Sequence, residues 1–457
     1  MTPVQVRVLL GAIFASFVTF LDGAVITVTL PAIDREFGGG LPLQQWVVDA
    51  YLVTLGSLIL IAGSLSDVLG RKRVLYMGLI GFGVTSLLCA FAPDGVFLVV
   101  SRALQGVAGA LLVPSPLAII VFRFDGQAQA KAIGRWTAWT GIAMIAGPVL
   151  GGVFVDTLSW RWVFVITVIP IAVTLILMPT LGETSRGTGV RVDALGAVLG
   201  SAGLAGTVFA LIVQGSYGSG SPRVWVPFVV GVLALAGFFI AETRAKQPML
   251  PLGLFAVHNF WVGNLATAFV YGALSFGPLM VTLYLQQTAG FSATAAGLVF
   301  IPSTVCMLLL SGYFGSLAGR YGPRFFMAAG PLLASTGFLW LLLRGDSVAS
   351  GLNLLLGVLL FGVGLSMTVA PLTSAILGSV HPGQAGIGSA VNNAVARIAG
   401  LVAVAMAGIV IGQRLDTAGM QRAMIVTAGL LIVGGVVSAI GVRNHEPAAE
   451  PIQATTD

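Results

Sequence analysis

Apolar runs close to twenty residues long recur fourteen times along this chain of 457 residues. They fall at about 8–33, 43–63, 74–93, 96–119, 133–155, 162–181 and 195–214, then at about 224–241, 260–285, 293–316, 325–343, 352–377, 388–412 and 423–442. About twenty apolar residues are what an α-helix needs to cross the hydrocarbon of a bilayer. Only 8% of the residues are charged and 57% are hydrophobic, whereas a soluble domain carries about a quarter charged residues. The expected fold is therefore an all-α membrane protein with fourteen transmembrane helices. The first run, with the single charge Asp22, is too long for the apolar core of a secretory signal and reads as a retained helix. The 61 glycines suit close helix packing in lipid.

Other classes lose ground on the same residues. Cys89 and Cys306 sit in apolar runs, and His258, His381 and His445 stand singly. Neither a disulfide framework nor a metal site is expected, and no cofactor is implied. The net charge of +6 comes from basic residues scattered over short loops without a basic face. The bilayer, not nucleic acid, is the expected partner. None of the three lysines follows a glycine, so the phosphate loop of an ATP-driven pump is missing. An enzyme would need a nucleophile–base or metal constellation, and a channel predicts neither a coupling acid nor the repeat described next.

Lys and Arg gather on the cytoplasmic side of membrane proteins. With the N-terminus inside, inner segments hold fourteen of them, outer segments six, and Arg102 and Arg397 lie within helices. Both termini are expected in the cytoplasm, with the chain in the cytoplasmic membrane. Gly63, Leu65 and Gly70 after the second run recur as Gly315, Leu317 and Gly322 after the tenth, each pair 252 positions apart. This spacing predicts two six-helix bundles, 1–181 and 257–442, separated by an inserted helix pair with linkers at 182–256 and followed by a tail at 443–457. Repeats of this kind characterise secondary transporters, with substrate handled between the halves.

Four stretches then line up in order. They are Leu21 to Pro31 in the first helix, Gly63 to Arg73 in the following loop, Leu98 to Ala110 in the fourth helix, and Gly141 to Gly152 in the fifth. Together they resemble the signatures of the fourteen-helix drug:proton antiporters of the major facilitator superfamily. This copy has Ala24 and Thr27 where the family usually has Thr and Asn, and Val68 in place of a basic residue. The resemblance implies a major facilitator fold and proton-coupled export of hydrophobic or amphipathic small molecules, such as a drug, dye or secondary metabolite, by alternating access. A lipid or glycolipid exporter and a metabolite symporter stay open on the same fold, and a monomer is expected.

The resemblance and the residue chemistry together nominate sites. Gly63, Asp67, Gly70 and Arg71, with Gly315, Arg320 and Gly322 in the second copy, form the candidate conformational switch. The plainer reading of these loops is topological charge alone. Gly141, Gly147, Pro148, Gly151 and Gly152 form the antiporter stretch, which on composition alone is a kinked helix seam. Asp22, Asp49 and Arg102 all fall roughly 9–12 Å below the outer surface at 1.5 Å per residue. Charges at such depth are costly unless they face a partner or a cavity. They form the candidate proton-coupling site, with Asp22 expected as the leading proton carrier, Arg102 tuning it and Asp49 as the alternative carrier, the plainer reading being a fixed ion pair. Substrate-cavity candidates are Tyr51, Gln105, Trp139, Asn264, Gln286, Asn393 and Arg397. Between 260 and 442 the only acids are Asp346 and Asp416, in outer loops, which favours neutral, weakly cationic or amphipathic substrates over dications.

Overall fold

The computed structural model describes residues 2–124, 126–177, 193–245, 248–344, 351–381, 384–412 and 415–444. The first part of the chain forms α1 (Pro3–Phe37), α2 (Gly40–Leu69), α3 (Arg71–Ala90), α4 (Gly95–Leu112) and α5 (Ser115–Arg123). It continues as α6 (Gly126–Thr157), α7 (Trp162–Val165), α8 (Val168–Leu177), α9 (Ala194–Tyr217) and α10 (Pro222–Arg244). The rest forms α11 (His258–Gln287), α12 (Ala293–Leu298), α13 (Ile301–Tyr321) and α14 (Pro323–Arg344). It ends in α15 (Gly351–Gly378), α16 (Ala385–Ala405), α17 (Ala407–Ile411) and α18 (Thr417–Gly441).

Polar residues at the loop ends start several of these helices. Thr2 and Gln5 bond each other's backbone N–H in a capping box at α1. Asp94, Asp193 and Asp416 accept the backbone N–H of Phe97, Gly196 and Gly419 at α4, α9 and α18. Three acids of this acid-poor chain are thus explained as caps.

Among the described residues, twelve helices are long and apolar enough to cross a membrane. The all-α membrane architecture is as expected, but the count stops short of fourteen. The two other expected spans fall on α2 and on Trp162–Leu177. The first is 30 residues long, but at positions 60, 63, 64 and 67 only its backbone is described. The second is short because residues 166 and 167 break it into α7 and α8, and its expected end at 178–181 is not among the described residues. The linker at 182–192 and most of the tail, 445–457, lie outside them too.

The chain divides into two compact units. One comprises 1–249, 282–298 and 412–414, and the other 250–281, 299–411 and 415–457. In the first, α1 packs along α6 and touches α8 and α5, while α4 lies between α2 and α3. There α9 and α10 pack chiefly on each other, and α9 also touches α2. In the second, α15 lies between α13 and α14, and α14 also packs on α18. Large apolar side chains stand exposed along α10, among them Trp225, Val226, Val229, Val230 and Leu233. A surface of that kind belongs in hydrocarbon.

The internal repeat is visible in the backbone. Gly70, between α2 and α3, has φ 94° and ψ 135°, and Gly322, between α13 and α14, has φ 88° and ψ 152°. Each donates its N–H to the residue four back, Ser66 and Ala318. Only glycine takes such a positive φ without strain.

Candidate functional site

The polar residues of α4 occupy its buried face. Leu98, Ser101, Arg102, Gln105, Gly106, Gly109 and Leu112 recur at helical spacing and are buried. Gly106 sets how closely α2 approaches, since a Cβ there would collide with the Tyr51 carbonyl and the Thr54 hydroxyl. Thr54 Oγ1 donates to the Ala103 carbonyl at 2.7 Å, locking the crossing. That approach lays the Tyr51 ring on Arg102, with the guanidinium carbon 4.5 Å from the ring centroid.

Arg102 is 1% exposed. Its Nη1 donates to Asp22 Oδ1 at 3.0 Å and Oδ2 at 2.8 Å, and to Gln105 Oε1 at 2.6 Å. Nε donates to the Val47 carbonyl at 3.0 Å. Gln105 Nε2 in turn donates to Asp22 Oδ1 at 3.2 Å and to Ser86 Oγ at 2.8 Å, and the Thr167 hydroxyl donates to Ser86 Oγ at 3.1 Å. One buried network therefore joins α1, α3, α4 and the turn between α7 and α8. A buried charge pair survives only with its remaining donors and acceptors satisfied, and here Gln105 and Val47 supply that satisfaction.

Asp49 does not join it. The side chain is 0% exposed, and neither carboxyl oxygen has a hydrogen-bond partner among the described residues. The geometry explains the separation. Tyr51 faces Arg102, and two residues along a helix turn the side chain by roughly 200°, so Asp49 points away from α4. Of the three charges placed at one depth, the fold brings together Asp22 and Arg102 and leaves Asp49 apart.

The antiporter stretch is a packing seam. Gly147 stands against Ala24, and Gly151 against Val25 and Val28, so α1 and α6 meet through small residues. Gly141 is half-buried in the same helix. A Cβ at Gly152 would collide with the Thr294 backbone, and one at Gly297 with the Pro148 carbonyl. At the end of α6, Asp156 accepts the backbone N–H of Ala293 and Thr294 at 3.0 and 2.9 Å and the Thr294 hydroxyl at 2.6 Å. Asp156 was not among the residues nominated from the sequence. An acid one turn beyond Gly152, matched by Ser292 and Thr294 elsewhere in the chain, was the available signal.

The switch candidates separate. The surroundings of Gly63 and the side chain of Asp67 lie outside what the structure describes. Arg71 Nη1 donates to the Ala118 carbonyl at 3.4 Å and lies over Phe122. In the second copy Gly315 touches Ala370, Arg320 is exposed, and Gly322 is pressed by the Asn444 side chain. Asn444 Oδ1 also accepts the N–H of Arg324 at 3.1 Å.

The cavity candidates are dispersed as well. Tyr51 and Gln105 belong to the buried network, while Trp139 is exposed in α6. Gln286 Nε2 donates to the Val28 carbonyl at 3.2 Å. Asn264 is buried, accepting from Asn392 at 3.2 Å and donating to the Phe260 carbonyl. Asn393 is exposed and Arg397 half-buried, both on α16.

The family model of the Major Facilitator Superfamily matches residues 12–404. The chain belongs to that superfamily. It is 33% identical over 404 residues to the puromycin resistance protein pur8 of Streptomyces alboniger, covering 86% of this chain and 79% of that one. It is 31% identical over 463 residues to the cephamycin export protein CmcT of Amycolatopsis lactamdurans, covering 100% and 94%. The multidrug transporter protein MdtP of Bacillus subtilis is 31% identical over 411 residues, covering 88% and 75%. Within the superfamily the chain thus groups with drug and antibiotic efflux proteins. A crystal structure of a D-xylose-proton symporter superposes with a TM-score of 0.70 at 16% identity, covering 96% of this chain and 98% of that one. A likeness at that identity speaks for the fold.

Proposed function

We propose that this chain exports hydrophobic or amphipathic small molecules across the cytoplasmic membrane in exchange for protons. It would do so as a monomer with fourteen spans and both termini in the cytoplasm. The relatives named for puromycin resistance, cephamycin export and multidrug transport support the substrate class. In this reading α2 and Trp162–Leu177 are the two spans beyond the twelve. The α9–α10 pair is the insertion between the bundles, a role supported by its largely internal packing.

One observation carries the coupling mechanism. Two membrane-embedded carboxyl groups of the first unit have opposite surroundings. Asp22 is held by a guanidinium and an amide, and Asp49 is fully buried with neither. Burying an uncompensated carboxylate charge is expensive, so Asp49 is assigned the travelling proton. Asp22 then acts with Arg102 as a charge pair that keeps α1 and α4 in register. Glycines 70 and 322 serve as fixed pivots of the two loop signatures, and the α6 seam with Asp156 holds residues 293–298.

The test is substrate counterflow driven by a pH gradient in proteoliposomes. Asp49→Asn is expected to abolish uphill transport while keeping downhill substrate exchange. Asp22→Asn is expected to lose both, because it breaks the network. Uphill transport retained by Asp49→Asn would refute the assignment.

A further inference from the structure

The second unit contains a cation that has no ion-pair partner among the described residues. Arg397 lies twelve residues into α16 from Ala385, roughly 18 Å along the helix and therefore near the middle of a hydrocarbon layer about 30 Å thick. It is half-buried, and neither its guanidinium nor the hydroxyl of nearby Tyr271 has a hydrogen-bond or ion-pair partner among the described residues. Tyr271 belongs to α11, whose turn at 271–275 packs on Gly400 of α16. Asn393, one turn before Arg397, is exposed and donates one N–H to the Ser389 carbonyl at 3.1 Å, leaving its Oδ1 and second N–H open. Gly386, Ala390, Asn393 and Arg397 follow one another at helical spacing on a partly exposed face, small at the start and polar at mid-depth. A bare guanidinium is not tolerated against lipid tails at that depth, so this face lines water.

Among the described residues of this unit no carboxylate pairs with it. Between 260 and 442 the acids are Asp346, which lies outside the described residues and in an outer loop by sequence, and Asp416, which caps α18. We propose that Arg397, with Tyr271 and Asn393, binds the carboxylate of an amphipathic anionic substrate, so that anionic amphiphiles are among the exported molecules. A planar guanidinium flanked by a hydroxyl and an amide offers the donors a carboxylate takes up. The inference rests on the small-molecule export reading and narrows it.

The experiment is equilibrium binding of fluorescent dansylaminoundecanoate and its methyl ester to the purified chain in phosphatidylcholine nanodiscs. Arg397→Gln is expected to weaken the carboxylate probe by at least about tenfold, the scale of one charge-assisted hydrogen bond. The ester should change less than about twofold, and Arg397→Lys should recover most of the loss. Unchanged thermal unfolding of Arg397→Gln is expected, since no internal hydrogen bond is removed. No saturable binding of the carboxylate by the unmodified chain, or equal effects on both probes, would overturn the proposal. So would phosphatidylglycerol displacing the probe only when Arg397 is present, which assigns the anion to lipid. Because no gradient is applied, a failure of proton coupling leaves this result standing, and the reverse also holds.

Discussion

Gly70 and Gly322, 252 positions apart, adopt nearly the same backbone, with φ of 94° and 88° and an N–H bonded four residues back in each. The two loop signatures are therefore equivalent as turns even though Asp67 has Gly319 as its counterpart. Alanine at either position forces a side chain into a region that costs on the order of 1–3 kcal/mol. Both Gly70→Ala and Gly322→Ala should lower the unfolding temperature, and at Gly322 the Asn444 side chain must also move away. Thermal unfolding of both purified variants reads this directly.

Removing one member of the buried pair should harm the fold more than removing both. Arg102→Ala leaves Asp22 and Gln105 buried without their cation, a change expected to cost roughly 3–5 kcal/mol. The double change Arg102→Met with Asp22→Leu should recover much of that stability while remaining inactive. A double variant no more stable than Arg102→Ala would show that the packing, not the charge, sets the cost.

Asp49 gives the opposite expectation. Its carboxyl group makes no hydrogen bond among the described residues, so Asp49→Asn should fold with wild-type stability within about 1 kcal/mol. Differential scanning fluorimetry of that variant beside Asp22→Asn separates the two acids without any transport measurement.

The seam at the end of α6 is testable by cross-linking. With Cys89 and Cys306 replaced, Asp156→Cys and Thr294→Cys should form a disulfide readily under mild oxidation, since the native side chains touch. Substrate or an imposed pH gradient should change the yield if these residues part during transport. Asp156→Asn, which keeps one acceptor oxygen but removes the charge and the second acceptor, should slow transport without unfolding the chain.

That Asp22 and Arg102 could meet was readable from the sequence, and side-chain direction less so. Counting residues placed Asp22, Asp49 and Arg102 in one layer, and Asp22 with Arg102 came together there. Which way each side chain points depends on how neighbouring helices rotate, and that rotation is set by contacts such as Gly106 on Tyr51, far apart in the chain. Asp49 was consequently grouped with a pair it does not touch. The glycine repeat was legible because a positive φ leaves a mark in residue type. Ser86 and Thr167, by contrast, look like any hydroxyl in an apolar helix until Gln105 is seen between them and Asp22. Among the described residues the helix count fell short at α2 and at Trp162–Leu177, which a turn at 166–167 divides.

The α9–α10 hairpin has a consequence for how the protein is made. Its two helices are joined by a turn at residues 218–221, begun by Gly218 at φ 72°, and their packing is chiefly with each other and with α2. Every one of those partners is synthesised before His258. The main packing partners of the hairpin are thus already made while the later helices are still on the ribosome.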